Sequence, residues 1–409
     1  TENLVNFPAN ADGGTGGSVG IQVVLNGAKA PHIHDNTITA GNGNATNGVG
    51  NIGVHLANTS TTLVNVTRAA GAALEHNVIT GGRGQGFGDV SNVGLQLEGN
   101  LVADVLGNTI WAGEGPLGVN VDAGLAPLTS ATIGLRMFNH ASANIEGNRI
   151  FGGVSTSRGG GTVGIACIGG DAIVVTNNLI HGGNDSPGPP NAAAIELVET
   201  ASATIEDNTI YAGLGASGDG GISNALFEHD LDAAVAVRGN ILAGAGSSAA
   251  DVAIVVDKCG QIGPFDHNLF VNLAGGMLSS STCHKDGGAK LSGFAETEAL
   301  LHGTDNLVLA TSCDAGQPDA TICGVSSCPS VGSCLTGLLT QWAPNGGGSS
   351  ILDKGSWALT DASSCRIKRG GVNLAQQAGG PAIPNDYSDA GRPDAPSIGA
   401  YQSGGTCPP

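Results

Sequence analysis

Residues 204–213 read TIEDNTIYAG, and three other stretches of the chain repeat this pattern closely. Each copy has an apolar residue, an Asn three places later and an Ile two places after the Asn. One residue further on comes a small pair that ends in Gly. The other copies are DVLGNTIWAG at 104–113, NIEGNRIFGG at 144–153 and VVTNNLIHGG at 174–183. A repeated unit of this kind generally cannot bury its apolar face alone, so the pattern predicts a stacked, solenoid-like body.

The Asn of each copy marks a repeat that runs through most of the chain. Successive markers lie between 28 residues (Asn240 to Asn268) and 41 residues (Asn36 to Asn77) apart. A second block, such as VGLQLEG at 93–99, precedes several markers, and both blocks alternate apolar and variable residues as strands do. The markers are Asn36, Asn77, Asn108, Asn148, Asn178, Asn208, Asn240 and Asn268.

Short strands at this spacing leave no room for the helices that join the strands of a βαβ sheet. We therefore predict an all-β fold, a single-stranded right-handed parallel β-helix over residues 1–275. The marker Asn is expected to point inward and to form a ladder with the Asn residues of neighbouring coils, about 4.8 Å away. A buried amide is costly unless it is paired, which explains why the Asn recurs. The small residues after the Ile are expected to turn with φ > 0.

These coils resemble the right-handed parallel β-helix proteins of the pectin-lyase-like superfamily. The stretch AQQAGGPAIPNDYSDAGRPDAPSIGAYQ at 375–402 resembles the closing motif of many secreted bacterial β-helix proteins, which ends in Ile-Gly-Ala-Tyr. The superfamily includes polysaccharide lyases, hydrolases, epimerases, adhesins and proteins with no known activity. The resemblance therefore implies a fold and leaves the function open.

Cysteine is concentrated at the end of the chain, since Cys167 stands apart from the other eight. An even, clustered set predicts disulfides and hence an extracytoplasmic compartment, with zinc as the competing interpretation of CGVSSC at 323–328. Residues 276–409 are accordingly predicted to be a Cys-rich C-terminal region with irregular last coils and an end cap. The eight cysteines are Cys259, Cys283, Cys313, Cys323, Cys328, Cys334, Cys365 and Cys407.

Charge and hydropathy limit the partners of the chain. Its 409 residues contain 15 Lys+Arg and 34 Asp+Glu, a formal net charge of −19, which argues against nucleic acid and anionic membranes. Neither a membrane-spanning apolar run nor a secretion signal is recognisable. We expect an extracellular or cell-surface protein whose signal has been removed or lies outside this chain. Asn3 and Val5 already match the repeat of an Asn followed two places later by an apolar residue. The chain is therefore expected to start in mid-coil, with self-association or an upstream partner at this end.

Aromatic residues recur three places after the markers on four adjacent coils. We expect their rings to form an exposed stripe that binds a glycan by stacking against sugar rings. The alternative is a set of stacked rings that neighbouring loops shield and that only stabilises the fold. The four residues are Trp111, Phe151, His181 and Tyr211.

Charged residues at outward positions supply the candidates for catalysis and metal binding. Arg136, Glu146 and Glu196 are the candidate catalytic residues by type, although carboxylates on alternate coils would be about 10 Å apart, beyond both glycosidase geometries. Glu206 and Asp207 are the candidates for a calcium site, with a solvated acidic face as the alternative. The superfamily's hydrolase motifs are not matched, since NTI replaces Asn-Thr-Asp and RIK at 366–368 lies beyond the regular coils.

The sequence thus predicts an extracellular β-helix protein with a structural, adhesive or glycan-binding role. The alternative is a polysaccharide lyase or glycoside hydrolase that acts on an acidic polysaccharide in a groove on the β-helix flank. A groove that brings Arg136, an acid and the aromatic stripe together would favour the enzyme, whereas a flat flank would favour the structural role.

Overall fold

The computed structural model describes the repeats and a short segment beyond them. The eight clustered cysteines, the RIK stretch and the 375–402 motif lie outside the described residues. Those residues are 4–6, 17–25, 30–41, 50–83, 92–115, 130–155, 161–185, 192–213, 223–229, 235–244, 252–256, 260, 262–271, 276–280, 290–309 and 321–322.

Parallel strands in three stacked sheets make up most of the described structure. The long-strand sheet contains Val19–Leu25, Asn51–Asn58, Asn92–Gly99, Ser130–Phe138, Gly161–Ile168, Ala192–Val198, Ser223–His229, Val252–Val256, Gly276–Ser280 and Lys290–Ser292. The middle sheet contains His32–His34, Val64–Val66, Ala73–Glu75, Leu101–Leu106, Ser142–Glu146, Ala172–Thr176, Ser202–Glu206, Val235–Arg238 and Ile262–Asp266. The short-strand sheet contains Leu4–Asn6, Thr37–Thr39, Val78–Thr80, Thr109–Trp111, Arg149–Phe151, Leu179–His181, Thr209–Tyr211, Ile241–Ala243, Leu269–Val271, Leu307–Leu309 and Thr321–Ile322.

Each repeat visits the three sheets in the same order. Gly161–Ile168 lies in the long-strand sheet, Ala172–Thr176 in the middle sheet and Leu179–His181 in the short-strand sheet, and the chain then returns to the first sheet. Every strand of this repeat pairs in parallel with its equivalents in the neighbouring repeats. The predicted all-β class and parallel stacking are confirmed, and the arrangement fits a β-helix or solenoid.

The hydrophobic core lies between the three sheets. Leu135 of the long-strand sheet, Ile145 of the middle sheet and Ile150 of the short-strand sheet are buried in one continuous cluster. Cys167 belongs to the same cluster, so it packs as a small buried hydrophobe. A second, smaller cluster lies on the other face of the long strands. It comprises Ile52, Val93, Ile133, Val163, Ala166 and Ala193.

A ladder of Asn side chains runs along the core, as the repeat predicts. The backbone N–H and the Nδ2 of Asn178 both donate to Oδ1 of Asn208, at 2.9 and 3.0 Å. Nδ2 also donates to the carbonyl oxygens of Ile145 and Thr176. The bonds from each Asn to the next recur from Asn36 to Asn306, one rung beyond the predicted series. Each amide is thereby paired along the stack.

A left-handed residue precedes each ladder Asn, and a left-handed glycine follows five of them. The predicted turn is present, because Gly82, Gly113, Gly153, Gly183 and Gly213 have φ between 90° and 110°. The second turn was missed, since its residue type varies and only its position is constant. It is the residue just before the Asn, with φ between 53° and 66°, and its occupants are Asp35, His76, Gly107, Gly147, Asn177, Asp207, Gly239, His267 and Asp305. Asp, Asn and Gly are the residues that tolerate this conformation best.

The stack changes character at its C-terminal end. Lys290–Ser292 pairs antiparallel with Gly276–Ser280, and the α-helix Phe294–Leu301 follows with Thr297 and Leu301 buried. Glu298 of this helix accepts a hydrogen bond from Nδ2 of the last ladder residue, Asn306, at 3.0 Å. The helix therefore ends the ladder.

Two minor elements complete the described secondary structure. A 3₁₀ helix spans Arg68–Ala70, and Val154–Ser155 pairs with Asn184–Asp185 in a two-stranded sheet. None of the helices within the described ranges is both long and apolar enough to cross a membrane.

Candidate functional site

The outer face of the long-strand sheet carries two of the three candidate catalytic residues. Register places Arg136 opposite Ala166 and Ala166 opposite Glu196, so the two candidates share one file, two strands or about 10 Å apart. Glu146 lies on the middle sheet, opposite Thr176. The structure therefore brings Arg136 and Glu196 into one file and separates Glu146 from them. We call this file the outer polar file, and its members are His55, Gln96, Arg136, Ala166 and Glu196.

Hydrogen bonds link the first half of the outer polar file. Nε2 of His55 lies 3.0 Å from a carboxylate oxygen of Glu98 and 3.2 Å from Nε2 of Gln96. Nη1 of Arg136 donates to Oε1 of Gln96 at 3.5 Å, and its guanidinium lies 4.6 Å from the ring centre of Phe138. The arginine is thus held by neighbours on its own sheet face. Glu98 lies beside this file and was missed by sequence reasoning, although it follows Gln96 by the strand period of two.

Glu196 ends the outer polar file in a different environment. Only 4% of the residue is exposed, and its neighbour in the preceding strand is the methyl group of Ala166. Within the described part of the chain its carboxyl group forms neither a hydrogen bond nor an ion pair. Burial raises the pKa of Glu196 to about 8, so the side chain is a neutral carboxylic acid at pH 7. A proton-donating carboxyl of this kind can serve as a general acid where a substrate reaches it.

The aromatic stripe is buried, which corrects the expectation of an exposed binding surface. Phe151, His181 and Tyr211 are 1%, 2% and 2% exposed. Because their strands pair in register, the rings lie against one another edge to face, 4.5 and 4.7 Å apart between centroids. Nδ1 of His181 also accepts a hydrogen bond from the N–H of Gly183. No face of these three rings is available to a sugar.

Trp111 is the one ring of the stripe that retains some exposure. It lies at the start of the file, opposite Phe151, and is half-buried. Its Nε1 is buried and has no hydrogen-bond partner in the part of the chain that the structure describes. The ring stripe belongs to the short-strand sheet and Arg136 to the long-strand sheet, so the stripe does not share a sheet face with Arg136 and Glu196.

Glu206, one of the two candidates for a calcium site, is paired with an arginine. Its Oε1 lies 2.7 Å from Nε and 2.5 Å from an Nη of Arg238 on the next strand. Burial raises the pKa of Glu206, and the nearby guanidinium opposes that shift. Asp207 follows it in a left-handed turn that the fold requires. No group of three or more His, Cys, Asp or Glu side chains among the described residues could hold a metal ion.

Comparison with known proteins found no match for this chain among protein-family models, curated proteins or solved structures. The resemblance to the pectin-lyase-like superfamily therefore stays a prediction that rests on the repeat pattern and the 375–402 motif.

Proposed function

We propose that this chain forms a single-stranded right-handed parallel β-helix of the pectin-lyase-like type. We further propose that it has a structural or adhesive role outside the cell or at its surface. The eight clustered cysteines support the extracytoplasmic location, because disulfides persist in oxidising compartments. The net charge of −19 supports solubility and tolerance of salt there.

The observation that carries the structural role is the unbroken Asn ladder. It joins nine coils, because the side-chain amide of each ladder Asn donates a hydrogen bond to the Asn of the next coil. These amides therefore hold neighbouring coils together. A repeat stack of this kind makes a long, stiff body whose surface displays loops of variable length. Glycan binding is the weaker part of the proposal, because Trp111 alone of the stripe is accessible.

A panel of polysaccharides tests this role. Pectins, alginates, glucuronans and neutral glycans would be incubated with the full chain, with and without calcium. Unsaturated-product absorbance, reducing-end release and direct binding would be measured. The structural role predicts no turnover on any member. Binding that Trp111→Ala abolishes and Leu63→Ala preserves would add a glycan-contacting function, since Leu63 is exposed and lies away from the stripe. Turnover on any member would contradict the structural role.

A second candidate function, a lyase or hydrolase of acidic polysaccharide, is favoured by Glu196. A neutral buried acid and a cation share one file, which matches a general acid and an anion-binding group in residue type. If this function is correct, Glu196→Gln and Arg136→Ala each abolish turnover, whereas Glu146→Gln on the middle sheet preserves it. Equal activity of the three variants would remove the outer polar file from consideration.

A further inference from the structure

Two histidines project from one face of a single strand. The strand His32–His34 belongs to the middle sheet, and residues two apart in a strand lie on the same face. Ile33 between them is buried in the core, so His32 and His34 are on the outer face, where 42% and 49% of their side chains are exposed. Their ring centres are 4.5 Å apart. The two imidazoles therefore lie side by side at the surface, where solutes can reach them.

A carboxylate orients each of the two rings. Nε2 of His32 lies 3.1 Å from Oε2 of Glu75, and Nδ1 of His34 lies 2.9 Å from Oδ2 of Asp35. The hydrogen bond with His34 lowers the pKa of Asp35. Against the opposing effect of burial, hydrogen bonds from Arg68 and His32 lower the pKa of Glu75. Both groups are therefore ionised at neutral pH and only accept hydrogen bonds, so each imidazole donates its N–H to its carboxylate.

These hydrogen bonds determine which ring nitrogen carries a lone pair. In a neutral imidazole one nitrogen bears the proton and the other the lone pair. The lone pair is therefore on Nδ1 of His32 and on Nε2 of His34, and neither nitrogen has a hydrogen-bond partner among the described residues. A metal-ligating histidine generally donates its other N–H to a carboxylate or carbonyl, which fixes the tautomer and raises the basicity of the ligand. Both histidines already have this arrangement.

The separation of the two rings suits a single metal ion. A zinc ion lies about 2.0–2.1 Å from a ligating imidazole nitrogen. Two such ligands at an angle of about 90–110° place the ring centres about 4.5–5 Å apart, and the observed separation is 4.5 Å. Imidazole suits Cu²⁺, Ni²⁺ and Zn²⁺, whereas Ca²⁺ and Mg²⁺ take oxygen ligands. The pair thus favours a divalent transition-metal ion.

We propose that His32 and His34 bind one divalent transition-metal ion as a two-histidine chelate. Nδ1 of His32 and Nε2 of His34 are the ligands, and water completes the coordination. The chelate needs no third side chain, so it agrees with the lack of a three-residue metal group in the described ranges. The net charge of −19 attracts cations, and the nearby guanidinium of Arg68 is paired with Glu75. This site lies on the middle sheet, apart from the outer polar file, and does not depend on the proposed structural role.

Titration calorimetry with Ni²⁺ tests the site in the full chain. The wild-type chain should bind one equivalent that His32→Ala and His34→Ala each weaken about tenfold or more, because a single imidazole then replaces a chelate. His140→Ala is the matched control and should leave the affinity unchanged. His140 is exposed and lies 3.0 Å from a carboxylate oxygen of Asp171, but no second ring contacts it within the described chain. Equal affinity of all four chains, or equal weakening by the three variants, would overturn the proposal.

Electron paramagnetic resonance with Cu²⁺ tests the ligands. One bound equivalent should show coupling to two imidazole nitrogens in the wild-type chain and to one in His34→Ala. Asp35→Gly should weaken binding about tenfold or more, because the carboxylate that fixes the tautomer of His34 is lost. Glycine suits the left-handed turn at this position, where φ is 54°, so the variant keeps the fold. A spectrum with sulfur ligands and no imidazole nitrogen would place the ion at the cysteines and overturn the proposal.

Discussion

The Asn ladder and Glu196 are both buried polar features, and they differ in how their polar groups are paired. Asn178 sits in the core with its amide bonded to the Asn of the next coil and to two backbone carbonyls. Glu196 sits on the outer face, where its carboxyl has no partner among the described residues and burial raises its pKa to about 8. The contrast shows that a repeat can carry a polar residue in its interior when each coil supplies the partner of the next. Glu196 has no such partner, because the equivalent residues of the neighbouring strands are Ala166 and Phe227.

The largest effect is expected from breaking the ladder in its middle. Asn178→Ala removes the acceptor for Asn148 and leaves buried carbonyl and N–H groups unpaired. Each buried unpaired group costs about 1–3 kcal/mol, so the free energy of unfolding should fall by roughly 5 kcal/mol. Urea denaturation measures this change. Asn36→Ala at the half-buried end of the ladder is the control, and an equal loss there would contradict the pairing argument.

A somewhat smaller effect is expected from unpairing a buried charge. Arg238→Met would remove the partner of Glu206, whose side chain has no exposed surface. Loss of one member of a buried ion pair generally costs about 3–5 kcal/mol, because the remaining charge is uncompensated. The double variant Arg238→Met, Glu206→Met should recover most of the stability in the same denaturation assay. Failure of the second substitution to restore stability would show that packing, rather than charge, explains the loss.

Glu196→Gln should stabilise the protein, in a pH-dependent way. The pKa of Glu196 is raised, so this group does not destabilise the wild-type chain below pH 4.5 and destabilises it increasingly as pH rises towards 8, because only the unfolded form ionises Glu196 in this range. The shift sets an upper limit of about 5 kcal/mol, and the unpaired Gln amide offsets part of that.

Thermal unfolding at pH 4 and pH 8.5 measures the effect of Glu196→Gln. The variant and the wild type should be similar at pH 4, and the variant should be more stable by about 2–4 kcal/mol at pH 8.5. Glu146→Gln, at a half-exposed position, should show little difference at either pH. A difference for Glu196→Gln that does not change with pH would contradict the raised pKa.

The smallest effect is expected at a buried hydroxyl without a partner. Among the described residues, Oγ1 of Thr162 is buried and forms no hydrogen bond, unlike Asn92 and Asn51, which occupy the equivalent place two and three coils earlier. Thr162→Val should therefore be neutral or stabilise the protein by up to about 1 kcal/mol. Asn92→Val should destabilise it, because that amide pairs with Asn51 and with the carbonyl of Glu114. Calorimetry compares the two.

Much of the stack was predictable because its signals are periodic. The marker Asn and the apolar residues at fixed offsets recur in each coil, so the strand pattern, the ladder and the glycine turn could be placed from sequence. Asn306 was missed because the preceding coil contains a helix, which interrupts the strand pattern. The left-handed residue before each Asn was missed because Asp, His, Asn and Gly share it.

The candidate functional site was less predictable, because the repeat pattern does not indicate which outward side chains are buried. The alternation of inward and outward residues along the strands predicted Arg136 and Glu196 on the same outer sheet face, and the structure places them in one file. The same alternation predicted that Phe151, His181 and Tyr211 point away from the core, and they are nevertheless almost fully buried. Outward direction and solvent exposure are different properties, and only the first follows from alternation.

The sequence alone determined the all-β class, the repeat and the Asn ladder, because these depend on contacts between equivalent positions of adjacent coils. The tertiary structure decided which outward residues are buried and how the last described ladder residue is bonded. These depend on contacts between non-equivalent positions, such as Glu298 with Asn306. A repeat specifies the first kind of contact many times over, whereas each contact of the second kind occurs once and leaves no period to detect.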